Sequence, residues 1–256
     1  MYQLSIIIPT FNESKNVVPI YEQISEALKG ISHEVIFVDD SNDNTPEIIQ
    51  TLADNNSNVV LMHRENEKGL ATAVLKGFEL ASGEYLSVID ADLQHPPAIL
   101  RSMYAVVSNG YDFCVPSRFI EGGSDGGLNL YRKFVSGTAR YIGKIMLNSV
   151  RHISDPTSGL FMFKRNAIEK SDLRPIGWKI MIEVLAMADY KTVCEIPYTF
   201  AQRNAGESKL TSKVTKEYLL QLTGLKKREL NHKNVRVDRL SPQKTKEYLD
   251  KLNSKC

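Results

Sequence analysis

The octet Asp90–Pro97, DADLQHPP, follows the apolar run Tyr85–Ile89 and sets two carboxylates and an amide at alternate positions. If the backbone stays extended there, Asp90, Asp92 and Gln94 fall roughly on one side. Two carboxylates so close repel each other, so the pattern calls for a positive charge between them. Carboxylate and amide oxygens suit a hard divalent cation, Mg²⁺ or Mn²⁺, better than zinc. The octet also reads as a polar turn capping a helix that begins at Pro96, since prolines open helices and Asp residues precede them. On these eight residues alone both readings stand.

The elements that would position them come from hydrophobic patterning. Leu4–Pro9, Glu34–Asp40, Asn58–Arg64 and Glu84–Asp90 read as buried strands, with helical spacing over Val17–Leu28, Pro46–Ala53 and Leu70–Ala81 between them. Near-continuous apolar strands separated by helices imply an α/β protein, a mainly parallel sheet covered on both faces. Such sheets bind ligands beyond the carboxyl ends of their strands. Three of the four strands end there in polar clusters that packing does not require, PTFNE, DDSNDNT and DADLQ. Further strands are predicted over Asp112–Arg118, Gly159–Arg165 and Lys191–Pro197, with helices over 130–147, Trp178–Ala188 and 212–227. On the helix 130–147, Arg132, Ser136 and Arg140 lie four residues apart and share a face.

The chain has 256 residues, and its 42% hydrophobic and 24% charged content is that of a globular protein. No apolar run approaches the roughly 18–20 residues of a membrane span. The start MYQLSIIIPT lacks the features of a signal peptide, which leads to an expectation of a cytoplasmic protein. Three scattered cysteines and five histidines without ligand spacing indicate neither a disulfide framework nor a zinc site. Charge is uneven: residues 210–256 carry +7, and the remainder −5. A basic tail on an acidic body points to an anionic surface as partner, a membrane face or nucleic acid, while the plain alternative is a solvated helical extension. The expected organisation is a domain over 1–210 and a basic amphipathic extension over 211–256.

Seven segments, IIIPTFNE, VDDSNDNTPEII, DADLQHPP, SRFIEGGS, DPTSGLFMFKR, GWKIMIEVL and EIPYTFAQRNAGESKL, occur in the order seen in family-two inverting glycosyltransferases. Over residues 3–210 the chain resembles the dolichol-phosphate mannosyltransferase group, which includes bacterial polyprenyl-phosphate glycosyltransferases. The resemblance implies a GT-A fold, a Rossmann-like sheet in one domain. It implies that Pro9, Phe11 and Glu13 hold the nucleotide, and that Val38 and Asp40 meet its base and ribose. It further implies that Asp90, Ala91, Asp92 and Gln94 line the donor diphosphate, with Asp90, Asp92 and Gln94 holding the metal. Arg203 and Lys209 match positions that contact donor phosphates, and Arg118, Arg132 and Ser136 match the cradle of the lipid phosphate. Asp90, Asp92 and Arg203 are thereby the expected catalytic set. The implied donor is a nucleotide diphosphate sugar, GDP-mannose or UDP-glucose, and the implied acceptor is a polyprenyl phosphate. The anionic partner of the basic tail is then a membrane's cytoplasmic face, with no nucleic acid.

Other readings are weaker. No Gly-x-Gly-x-x-Gly follows Ile8 or Val38, which argues against a dinucleotide oxidoreductase. A transferase acting on a glycan or cell-wall polymer hydroxyl would need a carboxylate base, for which Asp155 and Glu183 are candidates. The Gln-x-x-Arg-Trp motif common in such enzymes is missing. A phosphate acceptor needs no strong base, because its second pKa is roughly 6. A non-catalytic nucleotide-sugar sensor would be expected to lose the paired carboxylates, and both are present. An Asp-x-Asp phosphatase needs Thr or Val where Gln94 stands.

Overall fold

The computed structural model of the chain describes residues 2–127, 130–201 and 212–254, the side chains of 130–135 and 212–213 excepted. Its strands are β1 (Leu4–Thr10), β2 (His33–Asp39), β3 (Val59–His63), β4 (Tyr85–Val88), β5 (Phe113–Ser117), β6 (Phe161–Lys164), β7 (Thr192–Pro197) and β8 (Arg236–Arg239). Its α-helices are α1 (Val17–Ala27), α2 (Thr45–Asn55), α3 (Leu70–Leu80), α4 (Ile99–Val107), α5 (Leu130–Met146), α6 (Ile180–Met187), α7 (Ser212–Arg228) and α8 (Pro242–Asn253).

The strands form one sheet in the order β3-β2-β1-β4-β6-β5-β7-β8. Every pairing is parallel except the two made by β6, which runs antiparallel between β4 and β5. Successive residues of a strand face opposite sides, and β1 shows the result. Ile7 joins a core with α3, α6 and α7, while Ile6 and Ile8 join a second core with α1, α4 and α8. A Cβ at Gly77 would collide with Ile7, so α3 approaches β1 closely only because that position is glycine. In the first core Phe113, Phe161 and Phe163 stack at centroid separations of 5.4–5.9 Å. Each such fully buried ring contributes roughly 1.5–3 kcal/mol.

Three differences from the sequence expectations bear on function. β4 stops at Val88 rather than at Asp90, and residues 91–95 turn, with Leu93 in the left-handed region at φ 59°. The extended alternation expected for Asp90, Asp92 and Gln94 is therefore replaced by a tight turn. The helix expected from Pro96 begins at Ile99, and the one expected from Trp178 begins at Ile180. Trp178 and Lys179 are thereby left in the preceding loop.

The third difference concerns the extension expected over 211–256. β8 adds to the sheet beside β7, and α8 packs on α4 with Leu240 and Leu252 buried in the second core. Ser241 caps α8 by accepting the Lys244 N–H, and Arg101 of α4 donates to Asn253. Residues 236–253 are part of the sheet and core, because Val235 and Val237 pack against the first core while Leu240 and Leu252 are buried in the second.

Candidate active site

A cavity of about 510 Å³ opens at the carboxyl ends of β1, β2 and β4. Its walls include Pro9, Phe11, Glu13, Asp40, Asp90, Ala91, Asp92 and Gln94, so eight of the predicted donor residues meet there. Val38 does not; it is buried in the core against α3.

The loops after β1 and β2 are tied to each other. Asn12, in the left-handed region at φ 58°, accepts the Asn42 N–H at 3.0 Å, and its own N–H donates to Ser41 Oγ at 2.8 Å. The Glu13 N–H donates to Thr45 Oγ1, and Asn16 Nδ2 donates to the Glu13 carboxylate at 2.6 Å. Below them Asp39 is fully buried and accepts from Thr10, Ser41 and His63, which joins the ends of the first three strands.

Asp40 is held by groups after β3. Arg64 forks onto both its oxygens at 2.8 and 2.7 Å, and the Gly69 N–H donates to Oδ2 at 2.7 Å. A carboxylate offers about four acceptor sites, so roughly one remains for a ligand. Lys68 stands at the cavity wall with Nζ 5.9 Å from the Phe11 ring centroid, and Phe11 is 39% exposed on the same wall.

Asp92 Oδ1 accepts the Gln94 N–H at 3.1 Å across the Leu93 turn. Antiparallel β6 starts where β4 ends, bringing Gly159 against Asp90; a Cβ at Gly159 would collide with the Asp90 carboxylate. Among the described residues no group of three or more His, Cys, Asp or Glu could hold a metal ion by itself. Two carboxylates and an amide on a ligand-sized cavity fit Mg²⁺ or Mn²⁺, which take one or two carboxylates and complete their shell with water and substrate phosphates.

Positive charge gathers behind this pair. Lys179 lies on the cavity wall and donates to the Thr157 carbonyl at 3.0 Å. Burial holds its ammonium below the ordinary lysine value; Asp90 pulls it up and Arg118 pushes it further down. His95 is buried between Tyr198 and Phe200, and burial, then the charges of Arg118 and Lys179, push it down to about 3. It is neutral at physiological pH, so its 3.8 Å approach to Asp90 is no ion pair.

Arg118 follows β5 and is buried, with Nε and Nη2 forked onto Asp155 at 2.7 and 3.1 Å. Ser136 is half-buried on α5, and Arg132 lies on the same helix with its side chain outside the described residues. Arg203 and Lys209 also lie outside the described residues. Ala201, the last residue before that stretch, donates its N–H to the Gln94 carbonyl at 2.8 Å, so the chain reaches it beside the cavity. Glu183 is fully buried and occupied by Arg228, the Arg174 N–H and Gln221.

The sequence profile of glycosyl transferase family 2 matches residues 5–171. The chain belongs to glycosyl transferase family 2. It is 41% identical over 228 residues to a dolichol-phosphate mannosyltransferase of Pyrococcus furiosus, covering 89% of this chain but only 64% of that protein. Proteins of the same name from Saccharomyces cerevisiae and Mycosarcoma maydis are 36% and 33% identical. Those alignments cover 87% and 86% of this chain, and 86% and 78% of the relatives. A solved structure of glucosyl-3-phosphoglycerate synthase from Mycobacterium tuberculosis, in complex with Mn²⁺, UDP and glucosyl-3-phosphoglycerate, shares the fold. The TM-score is 0.68 at 16% identity, over 88% of this chain and 80% of that one. The architecture is the GT-A fold.

Within this family 2 domain, Arg64, Lys68, Gly69, Gly159, Trp178 and Lys179 reach the site without having been singled out from the sequence. A signal was available for the first three, since HRENEKGL follows a third parallel strand, where ligands are expected. Gly159 and Lys179 gave none, because β6's direction and the late start of α6 are tertiary outcomes.

Proposed function

We propose that the chain transfers a hexose, with inversion, from a nucleotide diphosphate sugar to a polyprenyl phosphate. The observation that carries this reading is the cavity at the strand ends, where Phe11, Asp40, Asp90, Asp92 and Gln94 converge beside the half-buried Lys179. Mannose and a dolichol-type phosphate are the pairing named in the three relatives, and GDP-mannose and UDP-glucose are the donors to test first.

In this reading Phe11 stacks on the base and Asp40, held rigid by Arg64, accepts from the base or ribose. A divalent ion held by Asp90 and Asp92, with Gln94 beside it, would supply positive charge against the diphosphate leaving group. Lys179 adds fixed positive charge on the same wall, and Arg203 and Lys209 are proposed to meet the donor phosphates. Arg118, Arg132 and Ser136 cradle the acceptor phosphate, which attacks without a base because it is largely dianionic at neutral pH. The competing hydroxyl-acceptor reading loses support, because Asp155 is forked by Arg118 and Glu183 is buried against Arg228. Among the described residues no helix is long and apolar enough to cross a membrane, and the acceptor's tail would bring the chain to a membrane's cytoplasmic surface.

The test is a panel of nucleotide sugars offered with a short polyprenyl phosphate and, separately, with glycan acceptors. Lipid-linked sugar should form, dependent on Mg²⁺ or Mn²⁺. Transfer to a glycan hydroxyl with none to the phosphate would overturn the proposal.

A further inference from the structure

A second basic depression lies away from the donor cavity. It measures about 690 Å³ between α5 and the loop after β5, and Arg140, Lys144 and Arg151 stand on its wall with Phe119 and Ser154. A neighbouring hollow of about 610 Å³ shares Phe119 and Ser154 and adds Arg239 and Lys244. Five cations thus surround two adjoining hollows.

Their carboxylate partners are few. Glu121 lines the second hollow from an exposed position. Glu195 is fully buried, and its oxygens accept from the Ser154 N–H and hydroxyl and from Arg239 Nε at 3.0 Å. Arg239 also donates to the His152 carbonyl, which fixes its guanidinium at the rim. Arg140 lies over the Phe119 ring at 3.8 Å, which fixes a second cation. Lys144 reports the resulting field: burial, then the charge of Arg140, hold its ammonium below the ordinary value, while Glu195 opposes them and Arg239 adds to them. Two cations held in place, with a third depressed by burial and then by Arg140, gain from an added anion more than scattered surface lysines would.

We propose that this hollow binds a phosphate group at a site separate from both the donor cavity and the expected acceptor cradle. Guanidinium groups match phosphate oxygens in geometry as well as charge. Neither hollow is lined by Arg118 or Ser136, and Lys144 is eight residues beyond Ser136 on α5, a rise of about 12 Å. The hollow and the cradle adjoin at Phe119, which Arg118 approaches at 5.2 Å and Arg140 at 3.8 Å, so Lys144 and Arg151 are the cations that belong to this hollow alone. The phosphate comes either from a lipid headgroup or from a soluble anion, and the rim bears on the choice. Tyr141 and Ile145, 68% and 59% exposed, flank the cations on α5, an arrangement of apolar side chains beside basic ones that suits a lipid interface. The site does not depend on the sugar-transfer reading.

The experiment uses the full chain with two probes, phosphatidic acid in phosphatidylcholine vesicles, read by co-sedimentation, and inorganic pyrophosphate, read by calorimetry. The double variant Lys144→Glu/Arg151→Glu should lower vesicle partitioning at least about tenfold, since each cation near an anionic surface is worth several-fold in binding. Lys144→Gln/Arg151→Gln should give a smaller loss in the same direction, and thermal melts by circular dichroism check that both variants fold. Vesicle binding that both variants lose and that pyrophosphate does not compete assigns the site to a headgroup. Calorimetric pyrophosphate binding that both variants lose, with competition against vesicles, assigns it to a soluble phosphate. Folded variants that bind both probes like the parent chain would overturn the proposal.

Discussion

Asp92 and Arg64 carry opposite burdens in the cavity. In the proposed reaction Asp92 faces the place where charge would develop, and removing one preorganised group of that kind costs about 10²–10³-fold in kcat. Asp92→Ala is expected to lose at least that much transfer while melting like the parent chain, and EDTA should do the same reversibly. Full activity in EDTA would remove the metal assignment. Arg64 acts through Asp40, which it pairs with in a buried fork. Truncating one member of a buried pair costs roughly 3–5 kcal/mol because the other is left uncompensated. Arg64→Ala should therefore lower the melting temperature and weaken nucleotide diphosphate binding together. Arg64→Lys restores charge but not the two-pronged geometry, so binding should return only in part. Parental melting and calorimetry in Arg64→Ala would show that Asp40 needs no clamp.

Between residues and the whole chain, β5 depends on an electrostatic tie at its start. Asp112 accepts from Lys164 of β6 at 2.8 Å and from the Lys191 and Thr192 N–H groups and the Thr192 hydroxyl. Burial alone would raise its pKa, but those hydrogen bonds and the Lys164 charge outweigh it, and the carboxyl sits below 3.8. A carboxylate depressed on folding adds stability above its unfolded value, and that stability disappears as pH falls through the folded value. Asp112→Asn is thus expected to cost about 1–2 kcal/mol at pH 7. The gap from the parent chain should hold down to about pH 4 and then close on further acidification. Urea melts from pH 7 to pH 2.5 measure it, and a gap that widened in acid would contradict the assignment.

For the molecule as a whole, the closing segment is structural. Cutting the chain after residue 235 removes β8 from the sheet edge and takes Leu240 and Leu252 out of the core beside α4. Each buried leucine is worth roughly 1.5–3 kcal/mol, a large share of the typical margin of about 5–15 kcal/mol. The truncated chain is expected to melt well below the full one or to lose solubility. Parental melting would mean that β8 and α8 merely lean on a finished core. Of the cations that give residues 210–256 their +7 charge, Arg239 of β8 and Lys244 of α8 stand on the basic hollow, while Leu252 of α8 lies in the core.

The alternation of apolar strands with helices was enough to predict the parallel sheet, its covered faces and the polar strand ends, because those features follow from local periodicity. Asp40, Asp90 and Asp92 were legible for the same reason: they stand just past strands whose ends must be exposed. Strand direction was not legible. β6 runs antiparallel, which carries Gly159 onto Asp90, and nothing in Phe161–Lys164 encodes that orientation. The Leu93 turn was equally hidden, since a left-handed leucine is held by its surroundings and not by its own preference. Nor did the basic composition of the last residues foretell β8 and α8. Strand pairing is a non-local event, and a free edge at β7 beside an open face of α4 exists only once the rest of the chain has folded.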